Sequence, residues 1–175
     1  MDQIKKIIEA IKEPVLAMLV GLMITNFAAA HTKIPTGSMI DTINIGDHVI
    51  VNRIPFYYRD PVRGEIVVFN HEGTNLVKRV VGEPGDVINL IDGNVYVNGT
   101  ALDESGYLYT LNSTYELYPS DITFPFTVPG DSYFVMGDNR EISGDSRIFG
   151  SIKREQIFAK GGLKIYPFNS IGFIH

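Results

Sequence analysis

Two side chains of this sequence have the types needed for nucleophilic catalysis, a serine hydroxyl and a lysine amine. Ser38 lies in the stretch Ile-Pro-Thr-Gly-Ser-Met at 34–39, where the proline and the glycine predict a tight turn that exposes the hydroxyl. Lys78 lies in the apolar stretch Asn-Leu-Val-Lys-Arg-Val-Val at 75–81, which predicts a strand. A serine that is hydrogen-bonded to a desolvated lysine can act as an activated nucleophile.

The surroundings of Lys78 decide whether its amine could work as a base. Along a strand, two-residue alternation places Leu76, Lys78 and Val80 on one face and Arg79 on the other. Burial beside aliphatic side chains disfavours the charged form of lysine and lowers its pKa. Only the neutral amine accepts a proton from serine. We therefore expect Lys78 to have a lowered pKa, and Arg79 to keep its charge.

The composition argues against several other classes of function. The chain has 175 residues, no cysteine and a formal net charge of -5. The lack of cysteine removes thiol catalysis and thiolate zinc sites, and scattered basic residues argue against nucleic-acid binding. The four histidines, His31, His48, His71 and His175, lack the spacing of a metal motif. We expect one domain, or one domain with an appendage, and no metal, cofactor or nucleic-acid partner.

Residues 1–30 form a distinct N-terminal segment. The part at 2–13 is amphipathic and contains three lysines, Lys5, Lys6 and Lys12, and the part at 14–30 carries no formal charge. A run of roughly 17 uncharged residues reaches the lower limit for a membrane-spanning helix. Three interpretations are open: a retained anchor, which we favour, a signal peptide cleaved after Ala28-Ala29-Ala30, and a buried helix of a soluble protein. In the first two, the lysines before the apolar run keep the N-terminus cytoplasmic and send the remainder across the membrane.

From Asp47 onward the pattern predicts short strands. Apolar runs alternate with Gly, Pro and Asp-Gly turns about every ten residues, which is typical of an antiparallel sandwich or barrel. The predicted strands lie at 48–52, 63–69, 75–81, 87–91, 95–97 and 132–136, with closing apolar runs at 163–168 and 171–174. The polar, tyrosine-rich stretch at 98–126 predicts a long loop, within an insertion at about 83–130. Helix is expected only at the N-terminus.

A polar, glycine-rich loop at 137–150 lies between two apolar runs. It contains two arginines and two aspartates at short spacing, Asp138, Arg140, Asp145 and Arg147. One interpretation is a solvated hairpin with surface ion pairs, which contribute little to stability. The other is a network of ion pairs that holds a catalytic base in place.

Together these stretches resemble the bacterial type I signal peptidases, the membrane-anchored Ser/Lys endopeptidases that remove signal peptides from exported proteins. The resemblance runs from the N-terminal segment to Phe168 and rests on motifs in a shared order. These are Ile-Pro-Thr-Gly-Ser-Met at 34–39, Gly-Asp at 46–47, Arg-Gly-Glu-Ile-Val-Val-Phe at 63–69, Lys-Arg at 78–79, Val-Tyr-Val-Asn-Gly at 95–99, and Met-Gly-Asp-Asn-Arg with Ser-x-Asp-Ser-Arg at 136–147. The resemblance implies a mainly β, antiparallel Ser/Lys peptidase domain at 31–175 behind one N-terminal transmembrane helix, with a more variable second β region after the lysine strand.

The resemblance also implies roles for individual residues. Ser38 corresponds to the nucleophile of the family and Lys78 to its general base. The Thr36 hydroxyl corresponds to the group that joins the Ser38 backbone N–H in the oxyanion hole. The residues that orient the lysine and steady the site correspond to Ser143, Asp145 and Arg147.

One motif departs from the family pattern. The family usually has Met-x-Pro-Thr after the nucleophile, whereas residues 39–42 of this chain are Met-Ile-Asp-Thr. Because proline restricts its own φ angle, its absence predicts a looser or differently shaped turn after Ser38.

Substrate recognition is predicted beside the serine turn and the lysine strand. An extended peptide could form backbone hydrogen bonds with both segments and place alternate side chains in small pockets. The residues predicted to form these pockets are Ile34, Pro35, Met39, Ile43, Leu76 and Val77. Such pockets would favour alanine at the first and third residues before the cut. The implied partners are signal-peptide-bearing pre-proteins, membrane lipid and the nearby secretion translocase, with the catalytic domain on the extracytoplasmic side.

Other functions remain open at this point. Self-cleaving Ser/Lys repressors and mutagenesis proteins share a related β-rich chemistry, but would not begin with an apolar anchor. Signal peptidases of the endoplasmic reticulum type have a histidine where this chain has Lys78. A membrane-anchored β-domain that binds extended peptides without cleavage would explain the anchor, but not the combination of Ser38, Lys78 and the loop at 137–147.

Overall fold

The computed structural model describes residues 2–23 and 27–174. Within them, the helices are α1 (Asp2–Met23) and α2 (Ser146–Phe149). The strands are β1 (Ala29–Lys33), β2 (His48–Asn52), β3 (Ile66–His71), β4 (Thr74–Gly82), β5 (Val87–Ile91), β6 (Asn94–Val97), β7 (Thr100–Ala101), β8 (Phe126–Thr127), β9 (Ser132–Met136), β10 (Ile152–Lys153), β11 (Ile157–Tyr166) and β12 (Gly172–Phe173). Short 3-10 turns lie at 54–57, 154–156 and 168–170.

The strands form two sheets in which every pairing is antiparallel. The larger sheet has the order β1-β2-β11-β3-β4-β9-β10, and β12 pairs with β11. The smaller sheet has the order β7-β6-β5-β8. The prediction of a mainly β, antiparallel domain is therefore confirmed. The smaller sheet lies within the predicted insertion at about 83–130.

The centre of the larger sheet is buried on both faces. In β3, Ile66 and Val68 join one hydrophobic cluster, whereas Val67 and Phe69 join a second. A strand that is buried on both sides has an unbroken apolar sequence rather than an alternating one, which explains the run in β3. A third cluster joins the smaller sheet to β9. In it, Ile88 and Val95 of the smaller sheet pack with Phe134 and Met136 of β9. The strand that carries Lys78 thus lies in the interior of the domain.

The structure contains elements that were not predicted. These are β1, the first half of β11 and the two-residue strands β7, β8 and β10. The prediction that helix is confined to the N-terminus is wrong because α2 begins at Ser146. This helix forms because the Asp145 side chain caps it by accepting a hydrogen bond from the backbone N–H of Arg147. The predicted long loop at 98–126 is largely irregular between β7 and β8, but part of it is buried.

The N-terminal segment differs from the prediction at its end. Ala29 and Ala30 belong to β1 and pair with β2, so the predicted anchor segment at 1–30 overlaps the sheet. The outer part of the predicted span, at 24–26, lies outside the described residues. Among the helices of the described residues, none meets the length and apolarity required of a candidate membrane span.

A close backbone approach in the larger sheet can be tested at Gly162. Pairing between β11 and β2 is irregular between Lys160 and Leu163, and a Cβ atom at position 162 would lie 2.1 Å from the Ile50 carbonyl oxygen. We expect Gly162→Ala to lower the free energy of unfolding by about 1–3 kcal/mol, because the added methyl group forces the two strands apart.

Urea denaturation of this variant and of a matched control checks the prediction. Gly172→Ala is suitable because no atom lies within 4 Å of its added Cβ, and it should unfold like the wild type. Equal stability of the two variants would contradict the close approach at Gly162.

Candidate active site

Ser38 lies in a closed turn between β1 and β2. Two backbone hydrogen bonds of 2.9 Å close the base of this loop, from Ile34 N–H to the Asp47 carbonyl and from Gly46 N–H to the Ile34 carbonyl. The Ser38 carbonyl accepts a hydrogen bond of 3.0 Å from Asn139 N–H. Apolar neighbours of the serine anchor the turn in the first hydrophobic cluster, namely Ile34, Met39 and Ile43. The serine is consequently held in place, and only 7% of its surface is exposed.

The Lys78 side chain lies directly against this serine. Its Nζ atom is 2.6 Å from the Ser38 Oγ atom, and the residue is 3% exposed. Burial lowers the pKa of Lys78 from 10.5 to about 8, since the charged amine is poorly solvated. The carboxylates of Asp145 and Asp138 oppose this shift, and the Arg147 guanidinium adds to it. The pair therefore combines a hydroxyl with an amine that is largely neutral above pH 8.

Arg79, the neighbour of Lys78, is buried and paired with Asp138. Arg79 Nε donates to Asp138 Oδ1 at 2.9 Å, and Arg79 Nη2 donates to Asp138 Oδ2 at 2.7 Å. Asp138 Oδ2 also accepts a hydrogen bond of 2.6 Å from Thr42 Oγ1. Thr42 thus ties the turn after Ser38 to the polar loop, next to position 41, where the family proline is missing. Asp138 was named among the charged residues of the polar loop, but no role was predicted for Thr42, because a threonine and an aspartate 96 positions apart carry no pairing signal.

Asp145 and Arg147 form a second buried pair. Arg147 Nε and Nη2 donate to the two carboxylate oxygens of Asp145, both at 2.9 Å. Asp145 Oδ2 also accepts a hydrogen bond of 3.1 Å from Gly137 N–H. Both charged side chains are almost completely removed from solvent. The interpretation of this loop as a solvated hairpin with surface ion pairs is therefore wrong, because its pairs point into the domain.

Ser143 lies near Ser38 and makes no hydrogen bond to Ser38 or Lys78. A Cβ atom added at Gly137 would lie 2.3 Å from Ser143 Oγ and 2.4 Å from the Ser38 carbonyl oxygen, so all three residues are in close contact. Ser143 Oγ is buried and has no hydrogen-bond partner among the described residues. No hydrogen bond joins Ser143 Oγ to Lys78, and the role of Ser143 in orienting the lysine stays a prediction.

A cleft opens beside Ser38 and Lys78, and it contains every residue predicted to bind substrate. We call it the active-site cleft. It is lined by Ile34, Pro35, Thr36, Ser38, Met39, Ile43, Thr74, Asn75, Leu76, Val77 and Lys78. Thr36 is exposed, and the Ser38 backbone N–H makes no hydrogen bond within the described residues. The Thr36 hydroxyl and the Ser38 backbone N–H are therefore the candidate oxyanion donors at this end of the cleft.

A buried hydroxyl and amine at the edge of an apolar cleft have the arrangement of a serine hydrolase that uses lysine as its base. Comparison with known proteins agrees with this class. The family model described as "Signal peptidase, peptidase S26" matches residues 7–166.

Individual relatives match over most of their length. The chain is 36% identical over 172 residues to "Signal peptidase I S" of Bacillus subtilis, which covers 95% of this chain and 93% of the relative. It is 36% identical over 174 residues to "Probable signal peptidase I-2" of Synechocystis, covering 93% of this chain and 75% of the relative. A solved signal peptidase I from Enterococcus faecalis is 32% identical and covers 58% of this chain and 97% of its own, with a TM-score of 0.49. The chain belongs to the signal peptidase family, peptidase S26, and is a serine peptidase.

The lowered pKa of Lys78 predicts a pH dependence of stability. Between pH 8 and 10.5 the unfolded chain binds a proton at Lys78 that the folded chain has already released. Raising the pH through this window therefore stabilises the folded state. Below it both states are protonated, and the folded state bears the full penalty of burying the charge. We expect wild type to gain about 3 kcal/mol relative to Lys78→Met between pH 7 and the upper end of the window.

Urea denaturation of both proteins across this pH range provides the measurement. Taking the difference between them removes the contribution of other groups that titrate there. A constant difference would show that Lys78 has the same pKa in the folded and unfolded chains.

Proposed function

We propose that this protein is an endopeptidase that removes signal peptides from exported pre-proteins, with Ser38 as nucleophile and Lys78 as general base. The observation that carries the proposal is the 2.6 Å contact between Ser38 Oγ and Lys78 Nζ at the edge of the active-site cleft. Membership of the signal peptidase family supports the choice of substrate.

The reaction begins when the neutral Lys78 amine accepts the Ser38 proton. The Ser38 oxygen attacks the carbonyl carbon of the scissile bond, and the resulting oxyanion receives hydrogen bonds from the Ser38 backbone N–H and the Thr36 hydroxyl. A donor of this kind typically contributes about 3 kcal/mol to transition-state stabilisation. The Lys78 ammonium then gives its proton to the departing amine. Water, deprotonated by Lys78, releases the acyl group and restores Ser38.

The active-site cleft favours an extended peptide with small side chains before the cut. Its walls are mostly apolar, and they combine the serine turn with one end of β4. A strand-like peptide that forms backbone hydrogen bonds with these segments would place alternate residues in the cleft. Because Ile34, Met39 and Ile43 are packed in the core, the walls cannot readily move apart for a large side chain. We therefore propose selection of alanine at the first and third residues before the scissile bond.

We also propose that the N-terminal segment anchors the enzyme in the membrane, with the N-terminus cytoplasmic and residues 31–175 forming the extracytoplasmic catalytic domain. The segment contains three lysines, Lys5, Lys6 and Lys12, before Pro14 and no charged residue from Pro14 to Ala30, and this lysine bias supports the orientation. The apolar side chains in the second half of α1 are exposed and available to lipid, namely Val15, Leu16, Met18, Leu19, Val20, Leu22 and Met23. This placement would bring the active-site cleft to pre-proteins as they leave the secretion translocase.

Loss of either reacting group should abolish cleavage of a precursor peptide with an Ala-x-Ala site. We expect Ser38→Ala and Lys78→Ala each to lower kcat by roughly four orders of magnitude or more, because neither can form the acyl-enzyme. Thr36→Val should lower kcat by about 100-fold through loss of one oxyanion donor.

The matched control for the oxyanion donor is Thr36→Ser, which keeps the hydroxyl and should retain most of the activity. Cleavage rates measured by mass spectrometry of the products test all four variants. Precursor cleavage at the wild-type rate by the Lys78→Ala variant would contradict the assignment of Lys78 as the general base.

Membrane attachment can be tested by placing charges on α1. Leu16→Lys combined with Leu19→Lys should release the protein from cell membranes, because each charge at the centre of a span costs about 3 kcal/mol. Tyr118→Lys is the control, since it adds a lysine at a side chain that is 90% exposed in the catalytic domain.

Membrane and soluble fractions are compared by blotting, and protease added to intact spheroplasts reports the side on which the catalytic domain lies. Full membrane retention of the double-lysine variant, or protection of the domain from external protease, would contradict the proposed anchoring.

A further inference from the structure

Gly137 determines how Ser38 and Ser143 are spaced, and its backbone is held by two buried charges. Its Cα has no room for a side chain, because Ser38 and Ser143 are packed against it. Its N–H donates to Asp145 Oδ2 at 3.1 Å, and its carbonyl oxygen accepts from Arg140 Nε at 2.8 Å. Asp145 belongs to the predicted base-orienting group, whereas Arg140 was named only among the charged residues of the polar loop. If Arg140 released the Gly137 carbonyl, Gly137 could shift, and the packing contact between Gly137 and Ser38 would change.

Arg140 is among the most completely buried side chains of the described residues. Its Nη1 and Nη2 atoms both donate to the Glu104 carboxylate, and Nη1 also donates to Thr114 Oγ1 at 2.7 Å. A buried guanidinium needs a counter-charge and hydrogen-bond acceptors, since an unpaired buried charge is strongly destabilising. Glu104 is the carboxylate that pairs with Arg140 among the described residues. The position of Arg140 on Gly137 therefore depends on Glu104.

Glu104 comes from the irregular chain between β7 and β8, outside the segments that carry Ser38 and Lys78. Three contacts fix this chain in place. Tyr107 Oη donates to Glu104 Oε1 at 2.8 Å, and the Tyr107 ring centroid lies 4.1 Å from the Arg79 guanidinium carbon. Thr114 N–H donates to the Gly93 carbonyl at 2.9 Å, which ties it to the turn between β5 and β6. The smaller sheet and its loop therefore reach the site through a defined series of contacts.

We propose that Glu104 is a positioning residue for the Ser38–Lys78 reaction, acting through Arg140 and the Gly137 carbonyl; this inference rests on the proposed function. Without the Glu104 charge, Arg140 would move towards other acceptors and release Gly137. The contact between Gly137 and Ser38 would then relax, and the serine would lose its alignment with the amine. Misplacement of a reacting group by about 1 Å can reduce the rate by about 100-fold. Because the residues that line the active-site cleft would be unchanged, we expect kcat to fall and KM to stay nearly the same.

The experiment measures kcat, KM and the urea midpoint of full-length variants with the Ala-x-Ala precursor peptide. Glu104→Gln preserves the shape of the side chain and removes its charge. We expect kcat to fall by about tenfold or more and KM to stay within about twofold. Thr114→Val keeps both charges and removes one acceptor of Arg140, so we expect a smaller fall in kcat of about threefold.

The double variant Glu104→Met/Arg140→Met separates positioning from stability. It replaces the ion pair by apolar side chains and leaves no buried charge unpaired, so its urea midpoint should exceed that of Glu104→Gln. We expect its kcat to remain about tenfold or more below wild type. The control is Arg63→Met, which removes the 2.6 Å pair with Asp86 and should lower the urea midpoint without lowering kcat.

These measurements test the positioning role of Glu104 separately from the proposed peptidase function. A folded double variant with wild-type kcat would overturn the inference, as would an equal loss of kcat in Arg63→Met. If Glu104→Gln does not fold, the double variant alone decides. A wild-type enzyme that leaves the precursor intact would instead overturn the proposed function, and this inference with it.

Discussion

The structure depends on keeping one lysine amine out of water and in contact with one serine hydroxyl. Lowering the pKa of Lys78 from 10.5 to about 8 corresponds to a net destabilisation of the charged amine by about 3 kcal/mol, with burial as the largest cause. That free energy must come from the packing of the surrounding domain. The central position of β4 between two hydrophobic clusters supplies the burial, and the closed turn before β2 supplies the serine. The proposed catalytic chemistry therefore depends on the position of the hydrophobic core as well as on the identities of the two residues.

Three buried arginine–carboxylate pairs surround this contact, Arg79–Asp138, Arg140–Glu104 and Arg147–Asp145. Buried ion pairs contribute little net stability compared with apolar side chains of the same size, so stability alone does not account for three of them in one region. Their common property is that each binds backbone or side chains next to the reacting pair. Because charged hydrogen bonds are strong and directional, they hold backbone positions that apolar packing alone would leave less well defined.

Much of this arrangement could be predicted from the sequence, and the missing parts share a physical cause. Ser38 and Lys78 could be predicted because a Pro-Gly turn and a lysine within an apolar strand are unusual local patterns. The family motifs also occur in the expected order. The strands at 48–52, 87–91 and 132–136 were found at their observed bounds because they are apolar runs between turns. β1 was missed because Ala-Ala-His-Thr-Lys has no strand-like alternation, and pairing with β2 stabilises it. The pairing of Glu104 with Arg140 was missed because the two residues are 36 positions apart and lie in different segments.

The neutral amine of Lys78 can be observed directly by NMR titration of the folded enzyme labelled with ¹³C at the lysine ε carbons. The Lys78 signal is the one that is absent from the spectrum of Lys78→Met, so its titration can be followed separately from that of the other lysines. A midpoint near pH 8, well below that of the exposed lysines, is the predicted result. A midpoint close to 10.5 would mean that the amine beside Ser38 is fully charged at neutral pH, which would contradict its role as the base.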